Sequence, residues 1–158
     1  MLVGDAQKLL QLAGTPLAKN GERLNRDLGG SKLGAVGFCL GGGMAIAAAG
    51  TYSDRFAAAI SFHGGGLASD APDSPHKFAP KLAAELYIGA AENDKSYPPQ
   101  MAQKFEQALN EAHVGYRSET YQAKHGWMMP DFPVYDEHAA EQGWREMLAL
   151  FERTLQKA

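Results

Sequence analysis

A single cysteine stands in Gly37-Phe38-Cys39-Leu40-Gly41, with an apolar run before it and Gly42-Gly43-Met44-Ala45-Ile46-Ala47-Ala48-Ala49 after it. The chain therefore passes from a strand into a helix through a tight turn centred on Cys39, the spacing that presents a nucleophile at the top of a sheet. Glycines two residues to either side remove Cβ atoms that would collide as strand and helix fold back on each other. The cysteine then lies at a helix N-terminus, where unpaired N–H groups and the macrodipole favour a thiolate. The backbone N–H of Leu40 is placed to be one oxyanion donor. A lone cysteine between glycines is otherwise a buried structural residue; the strand–turn–helix context is what selects the nucleophile.

Composition narrows the setting. The 158 residues are 45% hydrophobic and 21% charged, an ordinary globular balance for one domain with its own core. A net charge of −3 gives no electrostatic footprint for nucleic acid or an anionic membrane. No run approaches the length of a transmembrane helix, and Met1-Leu2-Val3-Gly4-Asp5 lacks the basic start and apolar core of a signal peptide. One cysteine cannot close an internal disulfide, and with no export signal the expected setting is cytoplasmic.

Residues 2–13 read as a short amphipathic helix and residues 14–32 as a glycine-rich loop. Apolar runs at Leu33–Phe38, Ala57–Phe62, Glu85–Gly89 and Tyr116–Tyr121 read as strands. Helical patterns follow or separate them at Leu40–Ala49, Pro99–His113 and Asp136–Leu155. The last carries Ala139, Ala140, Trp144, Met147, Leu148, Phe151 and Leu155 on one face. Strands alternating with helices predict βαβ units and a parallel sheet.

In such a sheet, chemistry gathers at the C-terminal strand ends. The four strands lead into Cys39, His63-Gly64-Gly65-Gly66, Gly89-Ala90-Ala91-Glu92-Asn93-Asp94 and Lys124-His125-Gly126. A thiol needs a base, and a base needs an orienter. His125 follows a strand and is the base candidate. His76 sits in a proline-rich loop, His113 at a helix end and His138 on the last helix. Asp94 is the orienter candidate, able to accept from the imidazole N–H, with Glu92 as its rival. His63, Gly64 and Trp127 read as walls of a substrate pocket, with a hydrophobic hinge under the last helix as the equal alternative for Trp127.

These residues resemble the dienelactone hydrolase family of α/β-hydrolases. The matches are Gly37-Phe38-Cys39-Leu40-Gly41-Gly42, the Gly89…Asp94 loop with its following prolines, His125-Gly126, and Tyr135-Asp136…Ala139-Ala140…Trp144…Leu148…Phe151. The order nucleophile, acid, histidine is that of the α/β-hydrolases. The resemblance covers residues 32–156 and implies an α/β-hydrolase-like parallel sheet of about four core strands, in a single domain over 1–158 with an atypical segment at 1–31. It implies that Cys39, Asp94 and His125 are nucleophile, orienter and base. It further implies a carboxymethylenebutenolidase-like hydrolase that opens esters or enol-lactones through an acyl-cysteine, with no cofactor and no metal.

Two departures accompany it. Family members carry several strands upstream of the elbow, and a loop there supplies a second oxyanion N–H and a glutamate; residues 1–32 offer no identifiable counterpart. The chain thus reads as the C-terminal two-thirds of such an enzyme, and a non-catalytic remnant serving in binding or assembly is the competing reading. The family's prototype also holds its substrate carboxylate with arginines, one of them four residues after the histidine, where this chain has Met129. A strand Leu33–Phe38 lacking an upstream neighbour would expose an edge, so a homo-oligomer is expected.

Overall fold

The computed structural model describes residues 32–155. The helix and loop expected over residues 2–32 fall almost wholly outside them. The order is β1 (Leu33–Phe38), α1 (Leu40–Thr51), β2 (Phe56–Phe62), a 3-10 helix (Pro75–Lys81), β3 (Glu85–Ala91), α2 (Pro99–Glu111), β4 (Tyr116–Tyr121) and α3 (Glu137–Leu155). The strands form one parallel sheet in the order β1-β2-β3-β4.

Burial follows strand position. Phe56-Ala-Ala-Ala-Ile-Ser-Phe62 and Glu85-Leu-Tyr-Ile-Gly-Ala-Ala91 are almost wholly buried, as strands covered on both faces must be. β4 is polar and largely open, and β1 alternates. Among the described residues β1 pairs only with β2.

The two faces are filled differently. On one, α1 lies against β1 and β2 through Ala45, Ile46 and Ala49, while the 3-10 helix packs on α1 and α2. On the other, α3 covers a layer built from Phe62, Tyr87, Tyr121, Trp127 and Met128. Phe62 and Trp127 meet edge to face at 6.4 Å, and Tyr121 stacks on Trp127 at 4.7 Å. Aromatic pairs in these geometries add about 0.5–1.5 kcal/mol each beyond burial. The Tyr87 hydroxyl donates to Glu119 at 2.6 Å and lies 2.6 Å from the Tyr121 hydroxyl, so both tyrosine hydroxyls are satisfied, while the buried Trp127 Nε1–H has no partner among the described residues.

Two expectations need revision. The buried line of α3 is Ala139, Ala140, Gly143 and Leu150; Trp144 and Leu148 stay exposed at 40% and 59%. Four-residue spacing locates a face but not its width, and here small residues let the helix sit close while the larger ones fall at its margin. The 3-10 helix replaces an expected loop around His76: seven residues are too short for a helical period to show.

Candidate active site

Three of the four strands leave the sheet through a non-glycine residue at positive φ: Cys39 at 54°, His63 at 41° and Asn93 at 56°. Such conformations cost of order 1–3 kcal/mol each and cluster at active sites. At the elbow the strain is held by packing. A Cβ on Gly37 would overlap the Gly41 carbonyl, and one on Gly42 would overlap the Ser61 hydroxyl. Gly41 differs: a Cβ there meets nothing within 4 Å, so the flanking glycines are not equivalent. The steric demand falls on Gly37 and Gly42, because the strand passes under the turn at one and α1 lies on β2 at the other.

Cys39 Sγ is exposed and lies 3.0 Å from His125 Nε2. His125 Nδ1 lies 2.6 Å from Asp94 Oδ2. A carboxylate only accepts, so Nδ1 carries the proton and Nε2 faces the thiol with its lone pair. Asp94 is fixed in turn at its other oxygen, where Oδ1 accepts the Ser96 N–H at 2.8 Å and the Ser96 hydroxyl at 2.6 Å. Burial disfavours the charged imidazole, but hydrogen bonds with Asp94 and then Cys39 outweigh it and raise the His125 pKa above 6.5. Burial also works against the Asp94 carboxylate; the bonds from Ser96 and His125 overcome it and hold the pKa below 3.8. A thiol so placed can pass its proton to an imidazole whose tautomer is already set.

Glu92 stays exposed, its N–H tied to the Tyr121 and Ala123 carbonyls, so of the two rival carboxylates the structure brings Asp94 to the histidine. His76, bonded to Ser74, and the exposed His113 and His138 make no contact with the Cys39–His125–Asp94 chain. Leu40 follows Cys39 at the start of α1, where helix geometry leaves its N–H without an intrahelical partner.

His63, Gly64 and Trp127 are not where pocket walls would be. His63 and Trp127 are 1% and 0% exposed, and Gly64 is buried. They form the layer beneath the site, with the two rings 5.0 Å apart. An open groove of about 480 Å³ lies between the loops after β3 and β4, on the Asp94 and His125 side, and Cys39 is not among its lining residues. Post-strand position brought these residues to the right end of the sheet; it carried no information on which way their side chains turn. Ser96 was missed, although Asp94-Lys95-Ser96 is the local pattern in which an Asx side chain bonds its own backbone two residues on.

Residues 19–155 match the model of the dienelactone hydrolase family. The chain belongs to that family. It is 29% identical over 128 residues to a curated Synechocystis sp. protein named "Putative carboxymethylenebutenolidase", covering 78% of this chain and 51% of that one. The crystal structure of a "Putative Dienelactone Hydrolase" from Klebsiella pneumoniae superposes with a TM-score of 0.70 at 27% identity, over 77% of this chain and 52% of the other. A dienelactone hydrolase-like promiscuous phosphotriesterase from metagenomic libraries gives 0.67 at 25% identity, over 79% and 53%. The chain thus spans about half the length of the dienelactone hydrolase relatives it matches.

Proposed function

We propose that the chain hydrolyses carboxylic esters or lactones through a Cys39–His125–Asp94 triad and an acyl-cysteine intermediate. The observation that carries this reading is the unbroken chain of contacts, Sγ to Nε2 at 3.0 Å and Nδ1 to Oδ2 at 2.6 Å, on an elbow at the C-terminal edge of a parallel sheet. Sγ attacks the carbonyl carbon as its proton passes to His125 Nε2. The carbonyl oxygen becomes an oxyanion facing the Leu40 N–H at the positive end of α1. Collapse breaks the C–O bond, and the leaving alkoxide takes the proton from Nε2; in a lactone it stays attached to the acyl chain. Water then gives a proton to Nε2, attacks the thioester and frees the acid, returning the thiol. Asp94 holds Nδ1–H throughout and stabilises the imidazolium.

The test is turnover of p-nitrophenyl acetate and of a simple δ-lactone by the wild type and by Cys39→Ala. Hydrolysis above the buffer rate that disappears in the variant is the expected result. Equal rates in the two proteins, or no turnover of either substrate by the wild type, would remove the reading and leave binding or assembly.

We further propose self-association along β1, which pairs on one side only among the described residues. Sedimentation should then give a species heavier than the 17.0 kDa chain, and a stable monomer would exclude it.

A further inference from the structure

The proposed chemistry gives His63 no proton to move, yet its ring is buried 5.1 Å from the ring of His125. Its contacts run to the nucleophile's backbone. His63 Nδ1 accepts the Cys39 N–H at 3.1 Å, an N–H that also reaches the Phe62 carbonyl at 3.0 Å. The N–H of His63 donates to the Gly89 carbonyl at 2.7 Å. His63 thus ties the end of β2 to the end of β1 through its ring and to the end of β3 through its backbone N–H, and Cys39 and His63 both stand at positive φ, 54° and 41°. Strained residues persist only where their surroundings over-determine them.

We infer that His63 is a positioning residue: its neutral Nδ1, acting as acceptor, fixes the Cys39 backbone in the elbow and so aims Sγ at His125. An acceptor at Nδ1 puts the ring proton on Nε2, which is buried with no hydrogen-bond partner among the described residues, so the Nδ1 contact with the Cys39 N–H is the one that selects the tautomer. Burial, and then repulsion from His125, lower the His63 pKa to about 4, so the acceptor persists through the neutral range. Trp127, edge-on at 5.0 Å, and Phe38 at 6.1 Å hold the plane of the ring. Asparagine at this position would bring Oδ1 close to the place of Nδ1 and tolerates positive φ. Glutamine would put its polar atoms nearer Nε2, and leucine would offer no acceptor.

The inference rests on Cys39 being the reactive group of the proposed function, so its test has an arm that needs no reaction. In the 15N-labelled wild type, a scalar coupling across the N–H···N bond should join the Cys39 amide to His63 Nδ1, with Nδ1 unprotonated through the neutral range. A protonated Nδ1, or no coupling, overturns the proposal whether or not any ester is cleaved. The second arm is the rate of Cys39 alkylation by iodoacetamide at fixed pH. His63→Leu should slow it about tenfold to a hundredfold, the scale of a small misplacement of a reacting atom. His63→Asn should recover most of the loss, and His63→Gln should not. Equal rates in the leucine and asparagine variants would show that the acceptor is irrelevant. Thermal unfolding followed alongside identifies a variant that fails to fold, and the wild-type coupling then decides.

Discussion

Cys39 is held mainly by packed backbone, with one bond from its N–H to the His63 ring, whereas Asp94 and His125 are held by hydrogen bonds between side chains. At the elbow, the Gly41 carbonyl and the Ser61 hydroxyl fill the space where Cβ atoms of Gly37 and Gly42 would stand. On the loops after β3 and β4, order runs through Ser96 to Asp94 to His125. The first arrangement resists change mainly sterically, and its one titratable contact, the Cys39 N–H on His63 Nδ1, holds through the neutral range. The second is electrostatic and tunable. The proposed active site needs both, because a nucleophile must be aimed and a base must hold a set tautomer.

The largest expected effect joins the two regions. Cys39→Ala and His125→Ala should each lower p-nitrophenyl acetate hydrolysis by about 10³-fold or more, and the double variant should be little worse than either, as for groups acting as a unit. Multiplying losses in the double variant would mean that the regions act independently.

Gly37→Ala tests the steric half. The new methyl overlaps backbone, so unfolding by denaturant should show a loss of about 3 kcal/mol, at the upper end for overpacking. Gly41→Ala is the control: it enters open space within a helix and should leave stability within about 1 kcal/mol, on the favourable side. Similar losses at both positions would mean that the elbow is not held by this packing.

Asp94→Asn tests the electrostatic half. Activity requires unprotonated Nε2, so kcat/KM should rise with pH through an apparent value above 6.5 in the wild type. The variant loses the leading contribution that raises the His125 pKa while burial, which lowers it, remains. Its acid limb should therefore move to lower pH as its rate falls, by less than in Cys39→Ala. A shift to higher pH would mean that Asp94 is not the partner of His125. Glu92→Gln should show the smallest effect, neither rate nor limb moving, because its side chain is exposed and unconnected to the histidine.

This division also explains what the sequence made legible. The strands at Leu33–Phe38 and Tyr116–Tyr121 stand where their apolar and alternating runs place them, and β2 and β3 differ by one or two residues at an end. The elbow was legible because its steric rule is local: glycine at fixed distances from the turn. The preference for Asp94 over Glu92 needed chain order as well as composition, since both lie in one loop and only tertiary structure turns one of them to the histidine. His63 was legible as a residue near the site, but not as one beneath it. Its direction follows from a backbone at φ 41° and a bond to Gly89 on the next strand, neither of which a local pattern carries. Ser96 was within reach of local reasoning, through its two-residue spacing from Asp94.

The central claim, that Cys39 and His125 form one reacting pair, is tested most directly by trapping the intermediate. The wild type and His125→Ala are mixed with p-nitrophenyl acetate, quenched in acid before turnover is complete, digested and read by mass spectrometry. The account predicts an acetyl group on the peptide carrying Cys39 in the wild type, cleared by continued incubation, and slow or negligible acetylation in the variant. Turnover by the wild type with Cys39 unmodified at every time, or acetylation at the wild-type rate without His125, would contradict it.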